Sequence, residues 1–144
     1  MMKYILFLTV IAITFGSCGS DKAKSDKVDS NVVDPDSPPV MTFDETTYDF
    51  GSISQGEKVK HTFYFKNTGN SPLVIHSAKG SCGCTIPEWP KEPIAPGKEG
   101  KIEVSFNSEM KTGHQEKVVT ILANTQPTKN LIKITGDVIV PEKK

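Results

Sequence analysis

The sequence predicts an all-β sandwich, and three observations carry that expectation. From Val40 onward apolar and polar residues alternate, which is the two-residue period of strands with one face buried. Gly, Pro and Asn interrupt the alternation about every 8 to 12 residues, the spacing of turns between short strands. No stretch of useful length carries the apolar period of an amphipathic helix.

Taken in order, Met41–Phe43 and Thr47–Phe50 are short strand candidates. The clearest strand runs from Glu57 to Lys66. There Val59, His61, Phe63 and Phe65 fall on one face, while Lys58, Lys60, Thr62, Tyr64 and Lys66 fall on the other, so one face is core and one is wet. Asn67-Thr68-Gly69-Asn70-Ser71-Pro72 is dense turn chemistry. Leu73–Ala78 then resumes extended structure and delivers the chain to Cys82 and Cys84. The stretch from Pro87 to Gly97 carries four prolines and is expected to cross the sandwich surface, because proline cannot donate to a central ladder. Lys101–Phe106 alternates again, placing Ile102, Val104 and Phe106 inward. Asn107–Gly113 reads as a polar hairpin connection. Glu116–Ala123 and Asn130–Val140 are apolar on nearly both faces, the pattern of central strands. The total is about seven strands, the count of an immunoglobulin-like sandwich. It occupies residues 40–140, with 141–144 as a short tail.

The residues before this domain have a different texture. Lys3 precedes an apolar run from Tyr4 to Phe15, of signal-peptide length and too short to span a bilayer comfortably. Phe15-Gly16-Ser17-Cys18 resembles the lipobox of bacterial lipoproteins. That resemblance implies removal of residues 1–17 and lipidation of Cys18 as the new N-terminus, tethering the chain to a membrane. An ordinary secretory signal cleaved nearby is the alternative. Residues 18–39 hold no aromatic residue and are rich in Ser, Asp, Lys and Pro, so they are expected to form a disordered tether. Such a tether reaches about 70 Å when fully extended.

Removing residues 1–17 leaves 127 of 144 residues, enough for one domain with a modest core. The remaining charge is 16 basic against 17 acidic residues, which gives no electrostatic footprint for nucleic acid. Every basic residue is lysine, so no bidentate guanidinium is present to grip phosphate. Three cysteines would leave an odd thiol outside the cytoplasm. Lipidation of Cys18 consumes one and leaves Cys82 and Cys84 as a pair.

Several motifs occur together in order: Asp49-Phe50-Gly51, Gly56-Glu57, Phe63 to Gly69, Pro72-Leu73-Val74-Ile75, Ser81-Cys82-Gly83-Cys84-Thr85 and Pro96-Gly97. This set resembles the bacterial family of unknown function numbered fifteen seventy-three in its series, over about Phe43 to Val138. That family is in turn similar to immunoglobulin-like modules of ciliary, centrosomal and major-sperm-protein type. The resemblance implies an interaction domain in a secreted or lipid-anchored protein. It supplies no activity, which has to be argued from a site.

Cys82-Gly83-Cys84 is the one constellation with reactive potential, and three readings stand beside each other. A disulfide across one residue closes a very small loop and stabilises the fold little, while tight geometry favours reduction, as in a redox switch. Alternatively, two thiolates could face Cu(I), with His76, His61, His114 or Met110 as a third ligand if folding brings one close. A zinc site is weaker, since structural zinc usually takes four protein ligands. In the plainest reading the turn, with Pro87, Trp89 and Pro90, caps one end of the sandwich.

His61 shares a face with Phe63 and Phe65, and a strand histidine hydrogen-bonded at the core edge is favoured over a buried ligand. His76 is expected on the surface or in a turn, and His114 at a strand start. Trp89 is either a partner contact or a lid over the core. Asp49, Glu57 and Glu88 show no acid-base pairing, and no phosphate-cradling loop or nucleophile elbow is present. The expectation is a noncatalytic, lipid-anchored envelope module for protein interaction or scaffolding, on an outer membrane facing the periplasm or on the cell surface. A Cu(I)-binding or redox-active cysteine pair is the alternative function.

Overall fold

The computed structural model describes residues 37–141. The signal segment, Cys18 and the tether as far as residue 36 lie outside those residues. Eight strands follow in order: β1 (Met41–Phe43), β2 (Thr47–Ser54), β3 (Lys58–Asn67), β4 (Ile75–Gly80), β5 (Thr85–Glu88), β6 (Glu99–Asn107), β7 (Gly113–Ala123) and β8 (Lys129–Ile139). They form two four-stranded sheets. Sheet one has the order β1-β3-β6-β5 and sheet two the order β2-β8-β7-β4.

Every pairing is antiparallel except that of β2 with β8. Those two strands stand near opposite ends of the domain sequence, so the whole intervening chain supplies the long connection a parallel pair needs. A register shift between Asp49 and Ser52 interrupts their ladder. Gly51 sits there at φ +67°, a conformation that costs glycine nothing, and the Asp49 carboxylate accepts the Gly51 N–H at 2.8 Å.

The core lies between the sheets, as the alternation requires. Phe63, Phe65, Ile102, Val104 and Phe106 from sheet one meet Val119, Ile121, Ile132 and Ile134 from sheet two, all buried. Phe50 of β2 stacks on Phe106 of β6 with ring centroids 5.6 Å apart, tying the layers together. On β3, Phe63 and Phe65 are buried while Lys58, Lys60, Tyr64 and Lys66 are exposed, as their alternation predicts.

Three features depart from the sequence reading. The first is the eighth strand: Thr85–Glu88 pairs with β6 although Pro87 argued for a surface crossing. Because β5 is the outermost strand of sheet one, the missing N–H of Pro87 costs no ladder bond with a further strand. The second is the domain start. The Ser37 carbonyl accepts a hydrogen bond from the Ser71 hydroxyl at 2.5 Å and Pro39 is fully buried, so the ordered domain reaches back past Val40 to Ser37. The third concerns β7 and β8, which are central in sheet two, yet Leu131 and Ile139 are each 56% exposed. Only the inner face of that pair is covered among the described residues.

Candidate functional site: the Cys82-Gly83-Cys84 crossover

β4 is the outermost strand of sheet two and β5 that of sheet one. Ser81–Cys84 therefore carries the chain from one layer to the other. Each end of this turn is fastened. Ser81 N–H donates to the Val118 carbonyl at 2.8 Å, and the Val118 N–H donates to the Ser81 hydroxyl at 3.3 Å. On the far side Thr85 N–H donates to the Cys82 carbonyl at 3.2 Å and Asn107 N–H to the Cys84 carbonyl at 2.9 Å. Gly80 lies against Thr85, and a Cβ there would run into the Thr85 carbonyl. The crossover is thus held by short backbone bonds and one close backbone approach.

Cys82 and Cys84 form a disulfide with Cα atoms 5.2 Å apart. Both are half-buried, whereas Gly83 between them is exposed with open space above it. The buried Thr85 hydroxyl lies 3.6 Å from the Cys82 sulfur and 3.9 Å from the Cys84 sulfur. It is a hydroxyl that either sulfur can engage, and one able to donate to a thiolate when the bond opens.

Cys84 also lines a groove of about 480 Å³ on the outer face of sheet one. Strand register explains its shape. Lys60, Ser105 and Ile86 lie side by side across β3, β6 and β5, and Lys58 lies beside Asn107 in the next row. The middle strand presents small residues, so it forms a floor between a wall of lysine stems and a wall made by Ile86 and Cys84. The turn carrying Glu109, Met110 and Lys111 closes one end.

That turn is rigidly placed. Ser108 is fully buried. Its hydroxyl donates toward the Glu57 carbonyl at 2.7 Å and the Ser54 carbonyl at 3.2 Å and accepts the Gly56 N–H at 3.0 Å. Gln55 Nε2 donates to the Lys111 carbonyl at 3.0 Å. Within the turn Met110 is 84% exposed and holds φ 57°, a left-handed conformation that costs a residue with a Cβ about 1 kcal/mol.

The structure separates the remaining candidates. His76 is exposed on β4, and the strand running from it to Gly80 is roughly 13 Å long, so it does not join the cysteines. His61 is the core-edge histidine expected. Its ring stacks on Tyr48 at 3.6 Å, meets Phe63 edge-on at 4.7 Å, and its Nε2 lies 2.7 Å from Glu45 Oε1. His114 sits near the start of β7 beside Asp137 and Thr135, at 3.3 Å from each. Among the described residues no three His, Cys, Asp or Glu side chains cluster as a metal site. Met110 is the one of the four named third ligands that shares a groove with Cys84. Trp89 packs against the core with Lys91 Nζ 3.1 Å over its ring, and it also lines a shallow groove with Glu88, Pro90, Lys101 and Glu103.

With this geometry in place, a family model described as protein of unknown function, DUF1573, matches residues 41–138. The chain belongs to the DUF1573 family. No curated protein matches the sequence. Among solved structures, a protein of unknown function from Porphyromonas gingivalis W83 is similar with TM-score 0.61 and 22% identity, over 69% of this chain and 46% of that one. The DUF1573 chain therefore spans about half the length of that protein. The PapD-like domain 7 of human CEP192 matches with TM-score 0.59 and 11% identity, over 78% of this chain and 93% of that domain. The secreted serine protease VesC of Vibrio cholerae matches with TM-score 0.54 and 14% identity, over 68% of this chain and 23% of the protease. At these identities the likenesses establish an immunoglobulin-like, PapD-like fold and nothing of activity.

Proposed function

We propose that this DUF1573 protein is a lipid-anchored, noncatalytic module of the bacterial cell envelope that binds another protein. Its anchor is Cys18, and an outer membrane facing the periplasm is the favoured location. The observation that carries the binding role is the groove on sheet one. There a rigidly held turn presents an exposed methionine in the same groove as Ile86, which is 60% exposed, within a frame of three lysines. Methionine at a surface adapts to varied apolar partners, and charged rims set orientation and encounter rate. Detergent-phase partitioning of the expressed full-length protein tests the anchor. A Cys18→Ala variant is expected to move to the aqueous phase, and retention of that variant with membranes would remove the lipid from the proposal. For the binding role, crosslinking in the native envelope is expected to yield a discrete adduct. Loss of that adduct in Met110→Asp is the expected result, and an unchanged adduct would place the interface elsewhere.

A second reading is favoured by one specific observation: the Cys82–Cys84 disulfide stands at the edge of the same groove, half-buried and beside a hydroxyl. The pair would then act by thiol–disulfide exchange or, once reduced, hold Cu(I) with Met110 supplying a thioether. Thiol counting with and without reductant, together with metal analysis of the purified protein, tests it. A pair that resists reductant in the folded protein and binds no Cu(I) would end this reading.

A further inference from the structure

We infer that the groove beside Cys84 docks an acidic polypeptide segment carrying two thiols, and that the Cys84 sulfur is the atom this segment attacks. The inference rests on the thiol–disulfide reading of the cysteine pair and adds its substrate class and direction of approach.

Three features of the groove point the same way. Lys58, Lys60 and Lys111 line it against the single carboxylate of Glu109, so its local charge is positive in a protein otherwise near neutral. Lys60 also approaches Glu103 at 3.4 Å, but its side chain is 71% exposed, and such a pair holds the charge only weakly. Ile86 on one wall and Met110 at the closed end give apolar contact along the floor. Acidic residues flanking a small apolar residue therefore complement both the charge and the surface. Finally, of the two disulfide-bonded cysteines only Cys84 lines the groove, so a docked thiol approaches its sulfur before that of Cys82.

The exchange balances without further reactants. A thiolate of the docked segment attacks Cys84 Sγ, a new S–S bond forms between the segment and Cys84, and the Cys82–Cys84 bond breaks. The departing electron pair stays on Cys82 Sγ, where the Thr85 hydroxyl at 3.6 Å can donate to it. The segment's second thiolate then attacks the segment's own sulfur, forming its internal disulfide and releasing Cys84 as thiolate. The two protons given up by the segment's thiols reprotonate Cys82 and Cys84. Two electrons have passed from the segment's dithiol to the protein's disulfide, and the same path in reverse reduces a disulfide in the segment.

The test uses full-length protein in detergent and two reduced synthetic dithiol peptides that differ only in their flanks, Asp and Glu with one Leu against Lys with one Leu, with dithiothreitol as a reference dithiol that has no flanks. Alkylation and mass spectrometry follow opening of the Cys82–Cys84 bond. The acidic peptide is expected to react about tenfold faster than the basic one at low ionic strength, with the ratio approaching one near about 1 M salt. In Lys58→Glu/Lys60→Glu the ranking of the two peptides is expected to invert, and an unchanged circular dichroism spectrum reports an intact fold. An acidic peptide with one thiol is expected to leave its adduct on Cys84, and an adduct on Cys82 would overturn the direction of attack. If dithiothreitol opens the bond but both peptides react at rates within about twofold of each other, the docking inference fails and the exchange reading stands. If dithiothreitol does not open it in the folded protein, the exchange reading itself fails.

Discussion

Asn67 does more than any other single polar residue to close the end of the sandwich opposite the groove. It is fully buried. Its Nδ2 donates to the Ser71 carbonyl at 2.8 Å and the Ile94 carbonyl at 2.9 Å, and its Oδ1 accepts from Gly69 N–H at 3.1 Å and Val40 N–H at 3.3 Å. One side chain thus satisfies backbone groups from three separate segments. Asn67→Ala is expected to lower unfolding free energy by about 3 kcal/mol, because it strands buried carbonyls and amides; urea denaturation measures it. The sequence marks Asn67 only as turn chemistry, because two of these partners lie 27 residues away. Ser108 is a second case. It reads as one polar residue in a hairpin loop, yet it is the pin that fixes the turn presenting Met110. Its partners on the β2–β3 turn are more than 50 residues away, so no local pattern points to it. His61 was easier to place, since its phase with Phe63 and Phe65 already put it at the core edge.

At the level of elements, β3 is the best-determined part of the chain. Its strict alternation gives each residue a face. Phe63→Ala is therefore expected to cost about 3 to 5 kcal/mol through lost burial and a cavity, whereas Tyr64→Ala, at a position 54% exposed, should cost under about 1 kcal/mol. Thermal or urea unfolding of the two variants compares neighbours of similar size, and equal losses would refute the assigned facing. β5 was the element hardest to see. Thr85–Glu88 is four residues long and contains Pro87, so propensity and length both argue against a strand. It exists because β6 offers it an antiparallel edge, a property of the neighbour and not of the segment. β7 and β8 show the reverse situation. Their apolar character on both faces correctly puts them at the centre of sheet two, but it does not reveal that the outer face meets solvent among the described residues.

For the whole molecule, the cysteine pair contributes little to stability. The loop it closes is so short that removing the bond is expected to cost only about 1.5 kcal/mol on the chain-entropy account. A Cys82→Ser/Cys84→Ser variant should thus remain folded by circular dichroism with a modest loss in urea midpoint, and global unfolding would show that the bond is a structural staple. Cys18 and the polar segment behind it belong to a different level of organisation. They lie outside the described residues up to residue 36, and under the proposed function they set where the domain is displayed. The sequence by itself determined the fold class, most strands and the inward residues, because strand periodicity and turn chemistry are local and survive in one dimension. It also singled out Cys82-Gly83-Cys84 as the one constellation with reactive potential. Only the tertiary structure decided what surrounds that element. Lys58, Lys60, Ile86, Met110 and Lys111 reach one groove through the register of β3, β6 and β5 and a pinned turn, while His76 stays on another strand. Those neighbours are set by pairing between distant segments, a physical constraint that no window of sequence contains.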